Sequence, residues 1–533
     1  MTDRIQAGAR RLALNDGNRR WWTLAAMCFA LFMIMLDNTV VNVALPSIQR
    51  DLGADLSSLE WTVNAYTLTF AVLLVTGGRL GDIFGRRRMF LFGVVVFAVS
   101  SAAIGLAPTD LALVLGRAIQ GIGAAFMMPA TLSIITNAFP PQERGKAIGT
   151  WAGVSAMALA IGPVVGGFLT EQVSWRAIFF LNLPVAVGAI VVTLFATRES
   201  RDETVERSID VPGIATLTIG LGALVLALVE GNQWGWGSPE IIALFVTAAI
   251  GIVAFHVVEM RQRVPMVDFA FFRSRSFLGA NIVAFSVSFA MLAMFFFIAL
   301  YMQNILGYSP LEAGVRFLPS TLVLIVMGPL SGRLADRIGP RIPMVVGLLF
   351  AGASLFWQSQ LSVDSGYGFL LPSFVLMGIG MGLVMSPMST AAMNAVDKAK
   401  AGVASGVLSM SRMVGGTFGV AVLGALVAVV GRAKLDDLLP AVPAAARGRL
   451  ADSLGSGAPA GGSAQIAAAA KEAYVAALSS GLLLGTAVTV AAAVVAWFLV
   501  AKRPAEAEAP APEAAAGEAG ALAAGESQEL ARA

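Results

Sequence analysis

The sequence predicts an all-α integral membrane protein of fourteen spanning helices, and three observations carry that reading. Of 533 residues, 57% are hydrophobic and 13% charged, whereas a water-facing globular surface needs roughly 25% charged. Fourteen apolar runs each reach the ~20 residues that cross a bilayer as a helix. The basic residues collect on alternate sides of these runs along the whole chain.

The runs fall at about 21–45, 59–78, 89–107, 110–133, 145–170 and 175–196, then 211–230 and 239–258, and finally 276–305, 310–332, 342–360, 369–392, 402–430 and 474–500. Helix is the default for each, because unpaired backbone in lipid is too costly, and none shows the alternation of a barrel strand. With the N-terminus in the cytoplasm, Arg19, Arg20, Arg86, Arg87, Arg88, Arg144, Lys146, Arg198, Arg261, Arg273, Arg333, Arg337, Arg341, Lys398, Lys400 and Lys502 all fall on the inner side. The outer loops hold Arg50 and a thin scatter between 432 and 471. A missed helix would reverse this bias partway, so it supports an even number of spans and places both termini in the cytoplasm.

The expected organisation is a cytoplasmic segment over 1–20, a six-helix bundle over 21–196 and a linker with two further helices over 197–275. A second six-helix bundle over 276–503 includes an extended outer loop at 431–473, with a short amphipathic helix near 464–476. A tail over 504–533, rich in Ala, Glu, Pro and Gly, is expected to be disordered. Cys28 is the single cysteine and His256 the single histidine. An intramolecular disulfide is therefore excluded, and neither residue has partners for a Cys/His metal site. No cofactor, nucleic-acid partner or P-loop of the G-x-x-x-x-G-K-[ST] type is expected, so ATP is not the direct energy source.

An internal repeat organises the chain. The loop after the second span reads Gly78-Arg79-Leu80-Gly81-Asp82-Ile83-Phe84-Gly85-Arg86-Arg87-Arg88. The loop after the tenth reads Gly332-Arg333-Leu334-Ala335-Asp336-Arg337-Ile338-Gly339-Pro340-Arg341. Both halves thus begin with the same two-helix unit, and spans seven and eight are the insertion. Repeats of this kind place a substrate site near the midplane, between halves that rock. The glycines allow a tight turn and close helix approach. Asp82 and Asp336 can face a neighbouring helix N-terminus, while Arg86, Arg87 and Arg337 pair with them or anchor to anionic lipid. A topogenic loop without a gating role is the plainer alternative.

These loops resemble the signature loop of the major facilitator superfamily, and further stretches resemble its fourteen-span drug:proton antiporter branch. They are Leu36-Asp37-Asn38-Thr39-Val40-Val41-Asn42-Val43-Ala44-Leu45-Pro46, Arg117-Ala118-Ile119-Gln120-Gly121-Ile122-Gly123 and the antiporter motif Gly162-Pro163-Val164-Val165-Gly166-Gly167. Ser174-Trp175-Arg176, Asn182, Pro184 and Tyr301-Met302-Gln303 follow in order. Ile83 and Ala158 depart from the pattern. The resemblance covers about residues 20–500. It implies a proton-driven exporter of small lipophilic compounds, cations among them, working as a monomer in the cytoplasmic membrane by alternating access. Proton-coupled uptake of a polar nutrient is the alternative transporter reading. A membrane-embedded enzyme would need a cluster of titratable side chains that the chain lacks.

An ionisable residue within a span is a functional candidate by default. Asp37 lies nine residues before Pro46, ~13 Å below the outer helix end at 1.5 Å per residue. Arg117 lies seven residues after Asp110, ~10 Å deep by the same rise. The resemblance makes their helices neighbours, so the two are read as a proton-coupling pair, with a static ion pair as the alternative. Gln120 and Gly121 share the Arg117 face, and Asn38 and Asn42 share a face of the first span. They could line a cavity or make interhelical bonds. Span nine brings Phe289, Met291, Met294, Phe295, Phe296, Phe297, Tyr301 and Met302, an adaptable surface for apolar ligands or one that faces lipid. Arg412 is deep in span thirteen with no partner legible in the sequence.

Overall fold

The computed structural model describes residues 16–54, 56–201, 210–262, 265–456 and 464–502. The expected tail at 504–533, and residues 1–15 of the N-terminal segment, lie outside them. The first bundle contains α1 (Asp16–Leu52), α2 (Leu56–Phe84), α3 (Arg86–Gly105), α4 (Asp110–Ala138), α5 (Pro141–Gln172) and α6 (Asn182–Ala196). Two helices follow, α7 (Val211–Trp234) and α8 (Pro239–Arg261). The second bundle contains α9 (Arg275–Asn304), α10 (Leu318–Ile338), α11 (Arg341–Gln358), α12 (Tyr367–Asn394), α13 (Ala401–Leu438) and α14 (Ala464–Leu499). No strand occurs among the described residues.

By length and hydropathy, 13 of the described helices qualify to cross a membrane. The fourteenth is α5, 32 residues long. Its glycines and hydroxyl residues dilute its hydropathy, but it packs between α1 and α10 as a full-length member of the bundle.

The halves repeat one packing plan. In the first, α1 touches α4, α5 and α6, and α4 touches α2 and α3; in the second, α9 touches α12, α13 and α14, and α12 touches α10 and α11. The halves meet along two seams, α2 against α13 and α5 against α10. Helices α7 and α8 pair with each other, and α7 lies against both α2 and α13. The α7–α8 crossing is backbone on backbone at Gly220 and Gly251, where a Cβ on either glycine would meet the other's main chain. Small residues at such crossings give the close contact that holds helices together in lipid.

One expectation is corrected. The stretch 431–473 is largely helical: α13 continues to Leu438, a helix covers Ala444–Ser456, and α14 begins at Ala464. The amphipathic helix expected near 464–476 is the first part of α14. Alanine favours helix strongly enough to outweigh the scattered Gly and Ser that suggested a loop. Arg447 ties the connection together, its Nε donating to Asp436 Oδ1 at 2.5 Å and its Nη1 to the Val442 carbonyl at 2.6 Å.

Candidate functional site

Asp37 is fully buried where α1, α3, α4 and α6 converge, and every partner it has is a donor. Arg117 Nη1 of α4 donates to Asp37 Oδ2. Gln120 Nε2, one turn along α4, donates to Asp37 Oδ1 at 3.0 Å, and Asn182 Nδ2 of α6 donates to the same oxygen at 2.9 Å. The two amides also share Ser101 Oγ of α3, at 2.7 and 3.2 Å. Arg117 is oriented from behind: Nε donates to the Thr62 carbonyl of α2 at 3.0 Å, Nη1 donates to Gln120 Oε1 at 2.6 Å, and the guanidinium lies 4.2 Å from the Tyr66 ring centre.

The chemistry follows from that donor set. An ionised carboxylate accepts only, and here three side chains from two helices donate to it. A proton on Asp37 turns one acceptor position into a donor facing another donor, so one partner must move away. A proton on Asp37 would therefore loosen α4 or α6 from α1. Asn182→Ala removes one of the two amide donors, and a bond to a charged group contributes ~1.5–3 kcal/mol. The variant is expected to cut substrate-driven proton movement about tenfold, measured with a pH-sensitive dye in everted vesicles.

The expected pair, Asp37 and Arg117, is in direct contact, and Gln120 belongs to the same cluster. Gly121 instead gives close packing, since a Cβ there would meet Thr69 Oγ1 and the Tyr66 carbonyl. Asn38 and Asn42 donate to carbonyls of their own helix, Ile34 O and Asn38 O, both at 3.0 Å. Tyr301 anchors the α11–α12 connection, its hydroxyl 2.8 Å from the Ser362 carbonyl and 2.7 Å from that of Ser365. Gln303 is half-buried nearby. In α9, Phe289, Met294, Phe297 and Met302 are buried while Phe296 is exposed. The antiporter motif packs beside Asp37: Cβ atoms at Gly162 and Gly166 would meet Thr39 and Val40. Gly167 is half-buried, and the Pro163 side chain lies outside the described residues.

The repeated loops form reciprocal latches at the arginine-rich end. Asp82, fully buried, accepts from the Gly402 and Val403 amides at the start of α13, at 2.9 and 2.8 Å. Asp336 accepts from the Gly145 and Lys146 amides in the first turns of α5, at 3.0 and 3.1 Å. Each carboxylate therefore binds the N-terminal part of a helix in the opposite half, where the helix dipole favours negative charge. Glycines make the approach possible: a Cβ at Gly78 would meet the Gly402 carbonyl, and one at Gly332 the Gly145 carbonyl. Gly85 and Gly339 turn at φ 111° and 86°, where L side chains are strained.

The latches differ in charge. Arg86, buried, holds Asp82 Oδ1 through Nε at 2.8 Å and also donates to the Lys398 and Ala399 carbonyls. Pro340 stands at the matching place in the second loop, so Asp336 has no such arginine, and Arg337 is exposed. The Arg87 amide donates to Glu199 Oε1 at 3.0 Å and its Nη2 to the Leu194 carbonyl at 2.9 Å, which ties α3 to the end of α6. Two more bonds cross between the halves, Arg144 Nη1 to Asn394 Oδ1 at 2.6 Å and Ser386 Oγ to the Gly145 carbonyl at 2.9 Å. This end of the molecule is closed.

At the opposite end, Asp51 accepts from Arg176 and from Trp175 Nε1 at 2.9 Å. These bonds hold its carboxyl below the usual range, and they assign a role to Ser174-Trp175-Arg176. A separate apolar cavity of about 590 Å³ lies between α1, α5 and α6, lined by Trp21, Cys28, Phe29, Phe32, Val154 and Met157.

Sequence reasoning missed the positions of Ser101 and Asn182 against Asp37. It also missed Glu230, an acid of α7 buried to 3% exposure with Asn64 Nδ2 at 3.5 Å. The cost of polar groups inside a span was the signal that could have found all three. No group of His, Cys, Asp or Glu suited to a metal occurs among the described residues.

Known proteins agree with this architecture. The model of the Major Facilitator Superfamily matches residues 27–420. The tetracenomycin C resistance and export protein of Streptomyces glaucescens is 39% identical over 422 residues, covering 79% of this chain and 78% of its own. The multidrug resistance protein Stp of Mycobacterium tuberculosis is 38% identical over 407 residues, covering 76% of this chain and 75% of its own. In fold, a double-tryptophan variant of XylE superimposes with TM-score 0.64 at 14% identity, covering 92% of this chain and 98% of its own.

Proposed function

This chain belongs to the major facilitator superfamily, and on that premise we propose that it is a proton-driven exporter of small lipophilic compounds. It is a multi-pass membrane transporter, and relatives at 38–39% identity carry names of resistance and export proteins. The placement in the cytoplasmic membrane, with the arginine-rich end inside, follows the positive-inside bias.

The observation that carries the proposal is the Asp37 cluster, one buried carboxylate held by side chains of two helices and oriented by Arg117. In the cycle we infer, a proton entering from the outer side neutralises Asp37 and frees Arg117, Gln120 or Asn182. The bundle then rocks, the Asp82 and Asp336 latches part, and the arginine-rich end opens to receive substrate. Substrate binding favours the ionised cluster, so the proton leaves inward and the latches close. Each proton supplies ~2.3 kcal/mol per 100 mV, enough for roughly a 40-fold gradient of a neutral substrate.

Everted vesicles energised to an acid interior, with a pH-sensitive dye inside, test the proposal. Adding a lipophilic compound such as tetracycline to the outside is expected to release protons from vesicles that contain the protein and not from empty ones. Transport that continues unchanged after a protonophore collapses the gradient would overturn it.

A further inference from the structure

Among the described residues most deep charges are ion-paired or hydrogen-bonded, although Arg144 Nη2 and Glu259 Oε1 are buried without a partner. Asp37 has Arg117, Asp82 has Arg86, and Arg144 has Asn394 and the carbonyls of Thr136 and Phe139. Arg412 has no hydrogen bond or ion pair among the described residues, and its Nε is buried without a partner. It lies 11 residues into α13, ~16 Å from the arginine-rich end at 1.5 Å per residue, which is mid-bilayer for a ~30 Å hydrocarbon layer. Uncompensated charge at that depth is costly and is retained where it has a task.

The position of Arg412 on its helix shows where it looks. Gly402 and Gly406 turn one face of α13 to α2, at Gly78 and at Leu74 and Val75. Gly415, Gly416 and Gly419 turn another to α9, at Phe285, Leu292 and Phe289. At 100° per residue, Arg412 falls within the sector spanned by those three glycines. Val429, at 68% exposure, marks an outward-facing direction about 100° away. Arg412 is therefore turned toward the interior of the bundle, and it remains half-buried there, so its tip reaches open space.

We infer that Arg412 is the counter-charge for an acidic group on the transported compound, so the substrate class is a lipophilic carboxylate or phenolate rather than a cation. This assignment rests on the exporter reading and narrows it. A planar guanidinium with five donors matches a carboxylate in two-point geometry. A cation approaching it would meet like charge in low dielectric. The aromatic and aliphatic side chains of α9 beside it suit the apolar body of such a molecule.

The test compares pyrenebutyrate with its methyl ester, which keeps the shape and removes the only ionisable group, by quenching of tryptophan fluorescence in the purified full-length protein. Wild type is expected to bind the acid at least tenfold more tightly than the ester. Arg412→Gln should bind both with the affinity of the ester, and Arg412→Lys should keep most of the preference. Equal affinities in the wild type, binding of neither compound, or an undiminished preference in Arg412→Gln would each overturn the assignment. Acid-selective binding that depends on Arg412, without any proton release from vesicles, would uphold this site and defeat the antiport reading instead.

Discussion

Asp37→Asn is expected to abolish proton-coupled transport, lowering substrate-driven proton release at least about 100-fold, or ~2.7 kcal/mol. Asparagine keeps the size of the side chain and an oxygen for the Asn182 and Gln120 amides, but it has no charge to gain or lose. Arg117, 1% exposed, loses its anion and keeps the Thr62 carbonyl, Gln120 and the face of Tyr66. Removing one member of a buried pair typically costs 3–5 kcal/mol, so thermal unfolding of the purified variant should be measured beside transport. The distinctive outcome is a folded variant that still exchanges substrate down its gradient and no longer moves protons. Full proton release by that variant would remove Asp37 from the mechanism and leave the cluster a helix clamp.

The second large effect is expected at the first latch. Asp82→Ala leaves Arg86 buried without its carboxylate, and it strips the Gly402 and Val403 amides of their acceptor. The closed arrangement then loses two bonds to a charged acceptor, each ~1.5–3 kcal/mol, which can shift a two-state equilibrium more than a hundredfold. Opening at the arginine-rich end is read by a cysteine placed at Ser405, buried on α13 near the latch, in a Cys28→Ser background. Its alkylation from that side is expected to accelerate at least tenfold, and export to fall in parallel. Asp336→Ala should have a smaller effect, because Pro340 stands where the first loop has Arg86 and no buried cation is left behind. No acceleration by Asp82→Ala would show that the latches do not hold that end closed, and equal acceleration by both variants would show that the buried Arg86 adds nothing to the first latch.

The proposed latch role extends what the repeat suggested. The two G-R-L-x-D frames were visible in the chain, and so was the requirement for glycine at Gly85 and Gly339. Their partners were not visible, since Gly402 is 320 residues from Asp82 and Gly145 is 191 from Asp336. Which helix ends face those carboxylates depends on how the halves pack.

The sequence by itself determined the membrane class, the fourteen helices and the two-half plan. Each of these follows from local composition or from periodicity: lipid excludes unpaired backbone and charge, so hydropathy and arginine position are read one segment at a time. Tertiary structure decided the rest. It brought Ser101 and Asn182 to Asp37 from 64 and 145 residues away in the chain, and it spent Asn38, Asn42 and Tyr301 on bonds elsewhere. It also extended α13 and α14 into the expected outer loop and left Arg412 uncompensated. Side chains of one type are interchangeable in composition. Only the rotation of each helix about its axis, fixed by glycine contacts such as Gly166 on Val40 and Gly415 on Phe285, selects which of them meet.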